Sequence, residues 1–190
     1  MRYNIEDKQK TRLRIIKTAA RRYRAEGISG VGIANLMADL GMTHGGFYAH
    51  FTDKENLVTE ACSEAFSAQL RHWRKLLLQS PQQDALNTIL SDYLSLQHRN
   101  HPDTGCFAAA LAGEMARRDS RSRLAFTAGI TQMLAQLTQV TEHRQTNIKP
   151  EAILSLMVGS MVLARAVSDP TLSERLLNTA HETVLNAQSD

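Results

Sequence analysis

The chain has 190 residues, 43% of them apolar and 22% charged, with only 10 Gly and 4 Pro. That is enough apolar side chain for a packed core and too little charge for a disordered chain, and the Ala, Leu and Met content favours helix over strand. No apolar run reaches the ~18 residues of a membrane span, the polar start from Met1 to Lys8 has no signal-peptide core, and Cys62 and Cys106 form no Cys-x-x-Cys pair, so a cytoplasmic protein with reduced thiols is expected.

Charge is uneven along the chain. Met1 to Lys54 carries ten Lys/Arg against five Asp/Glu, a net +5, while the remainder carries −2. A basic head on a mildly acidic body points that head toward a polyanion.

A first helix is predicted from Thr11 to Glu26, with Ile15, Ile16, Ala19, Ala20 and Tyr23 on one side and Gly27 ending it. A short second helix follows over Gly32–Leu40, stopped by Gly41. Thr43 is a good cap for a third helix running to His50 or Phe51, and Thr52 with Glu55 reads as a capping box for a fourth, Asp53–Gln79. Further helices are predicted over Gln82–Arg99, Cys106–Arg118, Ser120–His143, Glu151–Val167 and Thr171–Ala187, with breaks at 101–105, 147–150 and 169–170. The fold class is therefore all-α with about nine helices: a helix-turn-helix unit over 1–53 and a helical unit over 54–190.

The second and third predicted helices carry the chemistry. A helix-turn-helix needs apolar residues where its helices cross and a residue tolerant of positive φ between them. Leu36, Leu40, Met42 and Phe47 supply the first, and Gly41 supplies the second. The exposed face of the following helix is what such a motif presents to the major groove.

The stretch Thr11–Glu60 resembles the TetR/AcrR family of bacterial regulators. The matching residues are Thr11-Arg12, Ile15-Ile16, Ala19-Ala20, Tyr23, Gly27, Ile33, Gly41-Met42-Thr43, the run Gly45-Gly46-Phe47-Tyr48-Ala49-His50-Phe51 and Asp53-Lys54-Glu55. The resemblance implies a homodimeric, ligand-responsive repressor on a palindromic DNA operator. Its DNA-binding residues would be Arg12, Thr43, His44, Gly45, Gly46, Tyr48, His50 and Lys54. Hydroxyls of Thr43 and Tyr48, a ring N–H of His50 and the Lys54 ammonium suit phosphates. His44 suits a base edge, and the two glycines allow close backbone approach. Gly32 stands where the family usually has a Thr or Ser, which removes one phosphate-binding side chain.

The C-terminal part resembles the family only in architecture. Phe66, Trp73, Tyr93, Cys106, Phe107, Met115, Phe126 and Met133 are candidates for an effector pocket, although such residues at helical spacing are more often plain core. The segment from Gly105-Cys106 to Glu114 resembles a Gly-Cys…Glu pattern in one branch of TetR-like regulators. It leaves two readings of Cys106: a small buried apolar residue, or a redox or electrophile sensor. Leu156, Val158, Gly159, Met161, Val162 and Leu176 are candidates for a dimer interface, since helices that pair with their twins are implied there.

No metal or cofactor is expected. His44 and His50 fall on different faces, and His98, His101 and Cys106 surround a turn where solvated histidines are the plainer reading. An enzyme is not expected either, because the sequence has no phosphate-binding Gly-rich loop, nucleophile elbow or metalloprotease helix. The remaining alternative is a helical interaction module without DNA binding, against which the basic head argues.

Overall fold

The computed structural model describes residues 5–142 and 148–187. Among them are ten α-helices and one 3-10 turn, with no strand. The helices are α1 (Ile5–Glu26), α2 (Ile33–Ala38), α3 (His44–Phe47), α4 (Lys54–Leu77), α5 (Ala85–Tyr93), α6 (Leu96–Asn100), α7 (Phe107–Met115), α8 (Ser120–Thr141), α9 (Pro150–Ala166) and α10 (Pro170–Asn186). The expected end of one helix at His143 and the start of the break at Asn147 lie outside the described residues, as do Met1–Asn4. No helix among the described residues is long and apolar enough to cross a membrane.

The N-terminal helices pack as their periodicity predicts. Ile15, Ile16, Ala19, Ala20 and Tyr23 form the buried stripe of α1, and Leu36 and Met37 are the buried residues of α2. Two sharp turns depend on glycine. Gly27 (φ +77°) ends α1, and Gly41 (φ +68°) separates α2 from α3; both occupy the left-handed region where a β-carbon is strained.

Three local features differ from the sequence reading. First, α1 begins six residues earlier, at Ile5 rather than Thr11, with Glu6 and Asp7 in its first turn, where carboxylates suit the helix dipole. Second, the predicted Gln82–Arg99 helix is two helices. The break falls at Leu94–Ser95, where Ser95 caps α6 by accepting from the His98 N–H. Third, the cap of α4 is Asp53, whose carboxylate accepts from the Asn56 N–H at 2.6 Å. Thr52 only donates to Asp53, and Glu55 leaves the helix end altogether. A carboxylate is the stronger acceptor for an orphan N–H, so it displaces the hydroxyl.

The C-terminal helices assemble on α4, which packs along α8, while α9 and α10 lie against each other. Helices α4 and α8 meet at Gly129, where a β-carbon would clash with the ring of Phe66, itself packed against Phe107 and Phe126.

Candidate nucleic-acid interface

Helix α3 is short because of its composition. Thr43 accepts from the Gly46 N–H at 3.2 Å and starts the helix. Gly45 and Gly46 then weaken it, and the chain tightens after Phe47: Tyr48, Ala49 and His50 each donate to the carbonyl three residues back. The predicted recognition helix to His50 or Phe51 is therefore one α-turn followed by a tight turn.

Phe47 and Phe51 stack at 5.3 Å and are buried, so the element is anchored from beneath. Thr43, His44, Gly45, Tyr48 and Ala49 are exposed. Tyr48 is 57% exposed, and His44 meets it edge to face at 5.6 Å. The two rings and the bare backbone of Gly45 thus make one exposed edge, beside the half-buried Gly46.

Arg12 is placed otherwise than expected of a phosphate contact. Its guanidinium forms a two-pronged ion pair with Glu60, donates to the His50 carbonyl and lies 4.7 Å over the Phe51 ring. It ties α1, the turn after α3 and α4 together, and its fork is already filled by a carboxylate. The sequence reading noted Arg12 but could not see Glu60 across 48 residues.

His50 is half-buried with its Nδ1 enclosed and without a hydrogen-bond partner among the described residues. Burial, with Lys8 and Arg12 nearby, holds its pKa below the ordinary histidine value, so it is neutral near pH 7. Lys8, not among the expected DNA-binding residues, lies close enough to act on His50. Lys54 opens α4; burial, then Arg118, lowers its pKa, with Glu114 and Glu55 acting the other way.

Behind this edge is a junction that sequence alone does not reveal. Glu114, in the last turn of α7, accepts from the backbone N–H groups of Ile28 (3.1 Å) and Ser29 (3.3 Å) in the turn that leads to α2. Arg118 reaches both Glu114 and Glu55, while Glu55 accepts from the Ser122 hydroxyl at 2.6 Å. The carboxylate expected to complete a helix cap instead joins α4 to α8.

The eight expected pocket residues form core. Phe66, Trp73, Tyr93, Cys106, Phe107, Met115 and Met133 are each no more than 2% exposed, and Phe126 is half-buried against Phe66. A cavity of about 380 Å³ does occur nearby, but Arg24, Gln69, Asp92, His98 and Thr104 line it. Cys106 is buried at the start of α7, and its backbone N–H donates to His98 Nε2 at 2.9 Å. His98 is therefore not solvated: its Nδ1 donates to the Tyr93 carbonyl at 2.6 Å, and burial pulls its pKa down to about 4.

Of the expected interface residues, Met161 is fully buried in its own subunit, because α9 turns that side toward the core. Val162 is exposed, Leu156, Val158, Gly159 and Leu176 are half-buried, and Leu163, which the sequence reading omitted, is 53% exposed.

Comparison with known proteins agrees with this geometry. Residues 15–61, which hold most of α1, all of α2 and α3 and the start of α4, match the model of the bacterial regulatory proteins of the tetR family. No curated protein matches the sequence. Solved structures do match over nearly all of it. The reduced form of Escherichia coli NemR has 20% identity and a TM-score of 0.77, covering 95% of this chain and 97% of that one. A TetR transcriptional regulator from Chloroflexus aurantiacus has 20% identity and a TM-score of 0.76, covering 96% of each chain. A TetR-family regulator from Cytophaga hutchinsonii has 16% identity and a TM-score of 0.81, covering 98% of this chain and 99% of that one. Residues 15–61 thus match the tetR family of bacterial regulatory proteins, and the chain as a whole has the fold of the solved TetR-family regulators.

Proposed function

We propose that the chain is a cytoplasmic repressor that binds a palindromic operator as a homodimer and leaves it when a small effector binds. Residues 1–53 form the DNA-binding unit in this reading, and 54–190 the effector and dimer unit. The observation that carries it is the exposed edge of His44, Gly45 and Tyr48 on an element pinned by buried Phe47 and Phe51. Thr43, Tyr48, His50 and Lys54 then hold phosphates and His44 reads a base. Dimerisation through α9 and α10, by Leu156, Gly159, Val162 and Leu163, fits the apolar side that α9 leaves uncovered. Effector release requires an occupant that favours one arrangement of the two units over another, and Glu114 is the link through which α7 would pull on the α1–α2 turn.

Two variants test the division of labour on a randomised DNA pool. Tyr48→Phe removes a phosphate-directed hydroxyl and is expected to weaken binding several-fold on all sequences alike, leaving the preferred sequence unchanged. His44→Ala is expected to relax preference at one position of each half-site, costing about 1–3 kcal/mol of discrimination there. A uniform loss with His44→Ala would remove it from base readout.

A further inference from the structure

Arg24 stands in the last turn of α1, yet its guanidinium leaves that unit. Its Nε and Nη2 donate to the Asp103 carbonyl at 2.8 and 2.5 Å, in the loop before α7. Among the described residues no carboxylate pairs with it. The Asp103 carboxylate is taken by Arg21 at 3.0 Å, and that of Asp92 by His72 at 2.8 Å. Burial pushes the Arg24 pKa down to about 10, with Cys106 and Asp103 acting in the opposite direction. The group is still protonated at neutral pH. It is a partly desolvated charge whose fixed partner among the described residues is a neutral oxygen, an arrangement that gains when an anion arrives.

Arg24 also lines the 380 Å³ cavity, which lies between α1, α4, the α5–α6 region and the 101–105 loop. Its volume falls in the range of small-molecule sites. Most of the other lining groups are uncharged polar or apolar side chains. Gln69 and Thr104 offer hydrogen bonds, Ala65 and Ala68 give an apolar side, and His98 is uncharged at neutral pH because burial lowers its pKa to about 4. The one lining carboxylate, Asp92, is occupied by His72.

We propose that this cavity binds a small organic carboxylate, which takes the two-pronged donor of Arg24 in place of the Asp103 carbonyl. This deepens the reading above and rests on it in one respect, the identification of the site as the effector site. The consequence for regulation is geometric. The Arg24–Asp103 bonds join α1 to the loop at the start of α7, and Glu114 joins the end of α7 to the turn after α1. An anion that draws Arg24 off the loop removes one tie between α1 and that loop and leaves the Arg21–Asp103 pair and the Glu114 bonds in place.

Benzoate is the probe and benzamide its neutral isostere, titrated by calorimetry into the full chain. Saturable benzoate binding is expected, with benzamide at least tenfold weaker. Arg24→Gln should weaken benzoate at least tenfold, as should Ala68→Phe, which fills the cavity from an exposed position on α4 and covers the case in which Arg24→Gln does not fold. Arg99→Gln, at a neighbouring cavity that also contains Arg165, should bind benzoate as wild type does. Absent benzoate binding, equal binding of benzamide, or benzoate affinity unchanged by Ala68→Phe overturns the site. Operator binding is measured separately. Benzoate that binds through Arg24 but leaves DNA affinity unchanged keeps the site and overturns its effector role. Release from DNA by a neutral compound in Arg24→Gln as in wild type keeps the effector reading and overturns this site as its seat.

Discussion

Gly129→Ala is expected to lower the unfolding free energy by about 2 kcal/mol, even though alanine is the better helix former. In an exposed helix that exchange stabilises by about 1 kcal/mol. Here the added β-carbon meets the ring of Phe66, which is 2% exposed. The ring has nowhere to withdraw, since Phe107 lies 5.9 Å and Phe126 5.5 Å from it. Overpacking of a filled core costs about 1–3 kcal/mol, and a clash with a confined ring belongs at the upper end, so the clash exceeds the propensity gain. Chemical denaturation at fixed protein concentration measures the difference. Phe66→Leu in the same chain should recover part of it, because the two substitutions share one space. A Gly129→Ala protein as stable as wild type would mean that α4 and α8 do not meet there.

Acid should weaken the protein well before its carboxylates protonate, and His98 is the reason. Burial penalises its charged form most, and because its Nε2 accepts from the Cys106 N–H, a proton there also sets donor against donor. The pKa falls from the ordinary 6.5 to about 4 in the folded chain. The neutral form is the one the fold favours. Its contribution is complete above the unfolded value of 6.5 and is lost as pH falls toward 4. Between about pH 7.5 and pH 5 that amounts to about 2 kcal/mol. His50, also held below its ordinary value, acts in the same direction. His98→Gln keeps an acceptor for Cys106 and does not titrate, so its stability should change much less across this window. An equal fall in wild type and variant would assign the acid sensitivity elsewhere.

The parts of the molecule that were legible in the sequence are those set by local spacing. The buried stripe of α1, the glycine turns at Gly27 and Gly41, the Thr43 cap and the buried Phe47 and Phe51 all follow from residues within a turn or two of one another. What spacing does not show depends on partners far along the chain. Arg12, expected at DNA, is paired with Glu60, and Glu55, expected in a cap, gives its carboxylate to Ser122 and Arg118. The aromatic and methionine residues near Cys106 have the right chemistry for a pocket wall, yet they fill the core. The cavity beside them is walled by polar residues of α1, α4 and the α6–α7 loop, whose approach no periodicity encodes. Met161 shows the same limit on α9: the apolar helix has two apolar sides, and only the packed chain decides which faces inward.

The central claim, that the Thr43–Lys54 edge grips DNA as a symmetric pair, is tested most directly by operator affinity as a function of salt. Fluorescence anisotropy on the DNA upstream of the protein's own coding sequence would give log K against log salt. Tight binding to a palindrome with a steep negative slope is expected. Lys54→Ala should make that slope shallower by about two, one phosphate contact for each subunit of the dimer. Binding that is indifferent to salt, or a slope that Lys54→Ala leaves unchanged, would contradict it.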